Sequence, residues 1–161
     1  MPVDLHQFSD WLSATPFSQR IQITAWAIPG IQTVHIISLA VLFAAALMLS
    51  LRIAGRGLAT EPLPLLAARF TRAIWILLVL LLISGSLLIT AEPGRTITNP
   101  VFYAKMIMLV IVIAITLWLS AAAKRTSRAP SGLHVFMAAV SMVLWIGIMF
   151  AGRFIAYFES N

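Results

Sequence analysis

The chain of 161 residues is 61% hydrophobic and only 10% charged, and its mean hydropathy is +0.99. These values exclude a soluble domain and predict an all-α integral membrane protein that is in contact with the lipid bilayer. The net charge of +6 does not indicate a nucleic-acid-binding protein, because the eleven Lys and Arg residues flank apolar segments. The absence of cysteine excludes disulfides, thiolate metal sites and cysteine nucleophiles.

The first predicted element is a short amphipathic helix over residues 3–14. Leu5, Phe8 and Trp11 recur at helical spacing with polar residues between them, which is typical of a helix lying in the headgroup plane. Pro16 predicts the end of this helix, and the residues after it lead into the first span. Because this region is acidic and lacks a basic segment, we expect no cleaved signal peptide.

Four transmembrane helices are predicted next, forming an antiparallel bundle with short connections. Each contains about 20 mostly apolar residues, enough to cross a hydrocarbon core about 30 Å thick. Gly and Pro residues mark the connections. The predicted spans cover residues of about 29–52, 69–91, 101–122 and 134–157, within a single membrane domain of residues 1–161.

The distribution of Lys and Arg predicts the orientation of the bundle. The first and third connections are the most basic, and contain Arg52, Arg56, Arg69, Arg72, Lys124, Arg125 and Arg128. The positive-inside rule places these connections in the cytoplasm and both termini outside. For a multi-pass protein of a bacterial inner membrane, the outside is the periplasm.

The outer half of the predicted bundle contains a layer of polar residues. His35 lies inside the first span, about six residues or 9 Å from its outer end, and Lys105 and Arg153 lie at similar depths on the third and fourth spans. On the second span, Ser84, Gly85 and Ser86 occupy the same level. An ionisable residue at membrane depth is costly and marks a functional position that faces the bundle interior.

Residues of this layer share helix faces and are the candidate site. A cationic layer with an imidazole suits an anionic ligand, the propionates of a cofactor or the carbonyl of a quinone. The candidate cofactor-binding residues are Gln32, His35, Ser38, Lys105, Trp145, Met149 and Arg153, and His35 is also the candidate metal residue, as a haem ligand.

A purely structural role is compatible with the same residues. Lys105 and Arg153 lie near the ends of their spans and can extend to the headgroups. His35 can be a neutral interior histidine bonded to Ser38, Gln32 or a backbone carbonyl. Trp145 and Met149 of the fourth span can serve in core packing alone.

The other two histidines are not part of this layer. His134 is predicted at the cytoplasmic start of the fourth span, most of a bilayer away from His35 in depth. His6 lies on the outer side, where we expect a surface position in the N-terminal arm.

Three short motifs carry a resemblance to known proteins. They consist of Trp26, Pro29, Gln32 and His35; of Phe102 and Lys105; and of Trp145, Gly152, Arg153, Ile155 and Tyr157. Over nearly the whole chain they resemble a family of small four-helix bacterial inner-membrane proteins of unknown function. More distantly, the chain is similar to copper-resistance D-type proteins and to four-helix haem proteins of the membrane protoporphyrinogen oxidase and b561 types. That resemblance implies a redox or metal role by analogy of fold.

Three functions are compatible with the polar layer. The first is electron transfer with b-type haem or a quinone, in which His35 is a ligand or hydrogen-bond partner and a methionine is the second axial ligand of a haem. The second is a non-enzymatic accessory or scaffold subunit that docks a periplasmic or membrane redox partner, or a second copy of the chain. The third is copper handling by His35 and methionines. An enzyme is less favoured, because every acidic residue lies outside the predicted spans and no carboxylate pair can do buried acid–base chemistry.

Overall fold

A computed structural model of the protein describes residues 4–56, 62–125 and 131–155. All regular secondary structure in these ranges is α-helical. The helices are α1 (Leu5–Ser13), α2 (Pro16–Ile23), α3 (Ala27–Ile53), α4 (Leu63–Ala91), α5 (Pro93–Ile97), α6 (Pro100–Arg125) and α7 (Gly132–Ile155). Parts of the prediction fall outside the described residues, namely residue 3 of the first helix, Arg128, Tyr157 and the end of the fourth span beyond residue 155. The acidic residues Glu61 and Glu159 also lie outside these ranges.

The four long helices α3, α4, α6 and α7 form the predicted bundle. Each is long and apolar enough to cross a membrane, which makes the chain a multi-pass membrane protein. The most extensive packing is between α3 and α4 and between α6 and α7. Packing of α4 on α6 and of α3 on α7 completes the ring, so that α3 and α6 lie diagonally opposite. The predicted all-α fold class is confirmed.

Two of the long helices begin earlier than predicted, because prolines stand in their first turns. The connection before the second span was expected to extend to about residue 69, whereas α4 begins at Leu63 with Pro64 in its first turn. Similarly, α3 begins at Ala27, two residues before Pro29. Proline is well tolerated at these positions, because the first turn of a helix has no intrahelical acceptors for its N–H groups.

The end of α3 is fixed by a glycine in the left-handed region. Gly55 has a φ of +72°, and its N–H donates to the carbonyl of Arg52 at 3.1 Å. The N–H of Arg56 donates to the carbonyl of Leu51 at 2.9 Å. These two bonds form a Schellman motif, which satisfies the last carbonyls of the helix and redirects the chain after α3.

Three short helices, α1, α2 and α5, gather at one end of the bundle, which we call the capped side. The predicted break after the first helix is confirmed, since the Thr15 hydroxyl accepts a hydrogen bond from the Ser18 N–H at 3.3 Å and Pro16 opens α2. The sequence did not predict that α2 is a separate helix, nor that α5 interrupts the connection between α4 and α6.

The capped side is held together by buried serines. The fully buried Ser18 hydroxyl donates to the carbonyl of Thr90 at 2.7 Å, which joins α2 to the end of α4. Ser9 of α1 is also buried, and a Cβ atom placed on Gly94 of α5 would lie 3.5 Å from its Oγ. The three helices therefore cover the end of the bundle where α3 starts and α4 ends. The opposite end, which we call the basic side, carries Arg56, Arg72, Lys124 and Arg125.

Most of the residues buried in the bundle interior are apolar. The larger core cluster contains Leu42, Ala45, Ala46, Ile74, Leu78, Leu81, Val112, Trp145 and Ile148. A second cluster lies toward the basic side and contains Leu49, Ile53, Ala67, Leu119, Ala123 and Ala138. Large apolar side chains such as Val110 and Val143 are exposed on the outer faces, as expected for helices that contact lipid.

Candidate functional site

The centre of the candidate site is a hydrogen bond between His35 on α3 and Ser84 on α4. The Nδ1 atom of His35 lies 2.8 Å from the Oγ atom of Ser84, and this hydroxyl also donates to the carbonyl of Leu80 at 2.7 Å. A hydroxyl has a single proton to donate. The arrangement therefore favours the tautomer in which Nδ1–H donates to Ser84, and leaves the Nε2 atom of His35 with a lone pair.

A glycine makes room for the His35 ring. A Cβ atom placed on Gly85 would lie 3.5 Å from Cε1 and 3.9 Å from Nδ1 of His35. The sequence placed Ser84, Gly85 and Ser86 at the level of His35, and the contacts of the first two residues confirm that level. Ser86 is exposed on the outer surface of the bundle.

Lys105 on α6 reaches the same level from the diagonal helix. Its side chain is partly buried and lies along α7, where a Cβ atom placed on Gly152 would be 3.5 Å from the Nζ atom. Because α3 and α6 lie diagonally opposite in the bundle, Lys105 belongs to the helix across the interior from His35.

The other candidate residues are distributed between the core and the surface. Ser38 is buried and Gln32 is exposed, so the polar stripe predicted along α3 passes from the surface into the interior. Trp145 is 1% exposed and belongs to the larger core cluster. Met149 is partly buried, and Arg153 is exposed near the end of α7. Lys105 is thus the partly buried cation among the predicted site residues that the structure describes.

The hydrogen-bond partner of His35 was not identified from the sequence. Ser38, Gln32 and a backbone carbonyl were the expected partners, whereas the observed partner is Ser84 on the neighbouring helix. The available signal was the small-residue segment at positions 84–86, since small residues let helices approach and serine can hydrogen-bond across the gap.

Trp145 has an unusual polar feature in its core position. Its indole Nε1 is fully buried and has no hydrogen-bond partner in the described part of the chain. A buried tryptophan N–H usually finds an acceptor. The packing role that the sequence suggested for Trp145 therefore does not account for all of its atoms.

The third histidine lies far from this site, as predicted. The ring of His134 at the start of α7 stacks on Trp118 of α6, with ring centroids 5.0 Å apart and an interplanar angle of 8°. Its Nδ1 atom lies 2.6 Å from the Oγ atom of Ser131. This cluster fastens α6 to α7 near the basic side.

Metal binding through a cluster of side chains has no support in residues 4–56, 62–125 and 131–155. No group of three or more His, Cys, Asp or Glu residues in these ranges is placed to hold a metal ion. Glu92, one of the acidic residues, instead pairs with Arg95, with 3.1 Å between Oε2 and Nη1.

The fold and the site define a small four-helix membrane protein with a partly buried histidine and a partly buried lysine on diagonally opposite helices. The sequence profile of a family of unknown function, DUF6644, matches residues 11–158, so the chain belongs to that family. No curated protein and no solved structure matches the chain. The family agrees with the predicted resemblance to small proteins of unknown function, whereas the resemblance to copper-resistance D-type and b561-type proteins gains no support.

Proposed function

We propose that the protein binds a lipid-soluble quinone at His35 and Lys105 and serves electron transfer in the membrane. The observation that supports this proposal is that a hydrogen-bond acceptor on His35 and a hydrogen-bond donor on Lys105 lie at one level of the bundle. The Nε2 atom of His35 has a lone pair, because Nδ1–H is used by Ser84. The Lys105 ammonium group offers up to three donors.

These two groups are complementary to both redox forms of a quinone. The carbonyl oxygen of the oxidised form accepts a charge-assisted hydrogen bond from Lys105. The hydroxyl of the reduced form donates to Nε2 of His35. The hydrogen bond to Ser84 and the contact with Gly85 hold the imidazole in place for this role.

The covered end of the bundle supports a lipophilic ligand. Helices α1, α2 and α5 lie over the end where α3 starts and α4 ends, which hinders direct access from water. Packing is less extensive between α3 and α7 and between α4 and α6 than within the other two neighbouring pairs. A ligand dissolved in the bilayer would reach His35 through one of these two interfaces. From the positive-inside rule we further infer that the capped side faces the periplasm of a bacterial inner membrane.

A b-type haem is the second candidate for the same site. A histidine whose Nδ1–H is hydrogen-bonded presents its other nitrogen to a metal, Met149 or Met108 would supply the second axial ligand, and Lys105 would pair with a propionate. The quinone is favoured because Leu42, Val112, Trp145 and Ile148 already fill the bundle centre, with exposures of 0–1%. A macrocycle would have to displace part of this core.

The test is a binding titration of the protein in lipid nanodiscs with decylubiquinone, followed by quenching of tryptophan fluorescence. We expect saturable binding that His35→Ala and Lys105→Gln each weaken at least tenfold. The matched controls His6→Ala and Lys124→Gln, which change the same residue types at exposed positions, should bind as the parent protein does.

An absorption spectrum of the oxidised and reduced protein separates the remaining interpretations. A Soret band that disappears in His35→Ala would show that the site binds haem and not a quinone. A colourless protein without saturable quinone binding would contradict both the quinone and the haem interpretation and would favour the accessory-subunit function. The next step would then be to identify the proteins that co-purify with it. Stoichiometric copper by metal analysis would instead indicate the copper-handling function.

A further inference from the structure

The hydroxyl groups of the transmembrane helices are not all hydrogen-bonded in the same way. Four of them, on Thr33, Thr71, Ser84 and Thr90, donate to the backbone carbonyl four residues earlier. This is the usual way in which the hydroxyl of a serine or threonine inside a helix finds a hydrogen-bond acceptor in an apolar environment. Three buried hydroxyls on α6 and α7 do not follow the rule, and they belong to Thr116, Ser120 and Ser141.

These three hydroxyls and the indole of Trp145 lie at successive turns of α6 and α7, and we call this row of buried polar groups the track. Ser141 lies one turn from Trp145 on α7, and its Oγ atom is 3.5 Å from Oγ1 of Thr116 across the interface. Ser120 lies one further turn along α6. The track is about 12 Å long, since it advances one helical turn on each helix.

Both ends of the track carry a buried polar atom without a partner. Neither Nε1 of Trp145 nor Oγ of Ser120 has a hydrogen-bond partner among the described residues, and the two side chains are 1% and 2% exposed. In the middle, the 3.5 Å separation between Thr116 and Ser141 is at the upper limit for a hydrogen bond. An unpaired buried polar group is costly, and a small molecule that both donates and accepts would satisfy the groups of the track.

We propose that α6 and α7 enclose a file of internal water molecules between Trp145 and Ser120, which admits protons from the basic side to the centre of the bundle. Buried water typically makes about three hydrogen bonds to otherwise unsatisfied groups, and the track offers an indole donor and three hydroxyls. Ser120 is five residues from the end of α6 at Arg125, so about 8 Å of helix separates the track from the basic side.

The inner end of the file lies close to the level of the candidate site. Leu42 packs in the same core cluster as Trp145, and Ser38 lies one turn from Leu42 and one turn from His35 on α3. Water at Trp145 would thus bring exchangeable protons to within about two helical turns of the His35 level. This inference goes beyond the proposed function and does not depend on whether the site binds a quinone.

The test is water-edited solid-state NMR of the full chain in phospholipid bilayers, with ¹⁵N-labelled tryptophan and valine. Trp145→Phe assigns the Trp145 indole signal. We expect magnetisation from water to reach this indole nearly as fast as it reaches the exposed indoles of Trp11 and Trp26. The backbone amide of Val110, which faces lipid in the middle of α6, is the dry reference.

Variants distinguish a water file from general penetration of the bilayer. Ser120→Ala and Ser141→Ala should each slow the transfer to Trp145 at least threefold, and should slow deuterium exchange of its indole N–H to a similar extent. The control Ser86→Ala makes the same change at an exposed position of α4 and should leave both rates unchanged. Transfer to Trp145 as slow as to the Val110 amide in the unmodified protein would overturn the proposal, as would rates that neither track variant changes.

Discussion

His35 and Ser84 are 49 positions apart in the chain, yet their Nδ1 and Oγ atoms lie 2.8 Å apart across the α3/α4 interface. Since the same hydroxyl donates to the Leu80 carbonyl, a backbone group of α4 indirectly sets the protonation pattern of a ring on α3. The position of one serine thus determines which nitrogen of His35 is available to a ligand.

Replacing Ser84 tests this relationship directly. In Ser84→Ala the Nδ1–H of His35 loses its acceptor, so we expect the population of the two neutral tautomers to shift and the stability to fall by about 1 kcal/mol. The side-chain ¹⁵N shifts of labelled histidine report the tautomer. Ser86→Ala, on the exposed face two residues away, should leave the His35 shifts unchanged. Identical His35 shifts in Ser84→Ala and the parent protein would contradict the assignment.

Gly85 provides a graded test of the space beside the ring. A Cβ atom placed on it would lie 3.5 Å from the His35 ring, an ordinary van der Waals distance, so Gly85→Ala should retain the ring position. Gly85→Leu should displace the ring, alter its ¹⁵N shifts and weaken ligand binding at least tenfold. Gly30→Leu is the matched control, because a Cβ atom there has open space around it. Equal binding by Gly85→Leu and the parent protein would show that the site lies elsewhere.

The stacked pair of Trp118 and His134 predicts a measurable coupling between α6 and α7. A double-mutant cycle with Trp118→Leu and His134→Ala should give an interaction energy of about 0.5–1.5 kcal/mol in the free energy of unfolding. Reversible unfolding in mixed micelles supplies the four free energies. The same cycle with Trp75→Leu in place of Trp118→Leu should be additive, because Trp75 is an exposed residue of α4. Additivity of both cycles would mean that the stack contributes no pairwise stabilisation.

The glycine that ends α3 should be sensitive to substitution. Gly55→Ala forces a side chain into the left-handed region, and we expect a loss of about 1 kcal/mol in the free energy of unfolding. Gly132→Ala, at the start of α7 with open space around it, should be neutral or slightly stabilising. The measurement is the unfolding curve of each variant against that of the parent protein, and equal stability of Gly55→Ala and the parent would argue against strain at this turn.

The four spans could be predicted from sequence because each depends on a local property, an uninterrupted apolar segment of sufficient length. The capped side was harder to predict. Pro16 and Pro93 both stand in the first turn of a helix, although proline is also common in connections. The helices α2 and α5 are also too short to show a clear apolar period.

In the candidate site, the depth of each residue could be predicted from the sequence, whereas the rotation of each helix could not. The rise per residue gives depth, and it placed His35, Ser84 and Lys105 at one level. Contacts also depend on how each helix is rotated and on which helices are neighbours. Successive residues differ by about 100° around a helix, and a single sequence does not fix this angle when every face is apolar. This is why the sequence did not identify Ser84, on the neighbouring helix, as the hydrogen-bond partner of His35.

The length of α4 connects the site to the membrane around it. Its 29 residues extend about 43 Å, well beyond a hydrocarbon core of about 30 Å. The 19 residues after Arg72 span about 28 Å, so the first turns of α4 project from the bilayer on the basic side. Arg72 marks one boundary of the hydrophobic region, and Trp11 and Trp26 mark the other. The distance between these boundaries sets the bilayer thickness that the protein matches. In a thinner bilayer Lys105 would lie nearer the headgroups and in a thicker one it would lie deeper, so lipid chain length would change how accessible this donor is to a ligand.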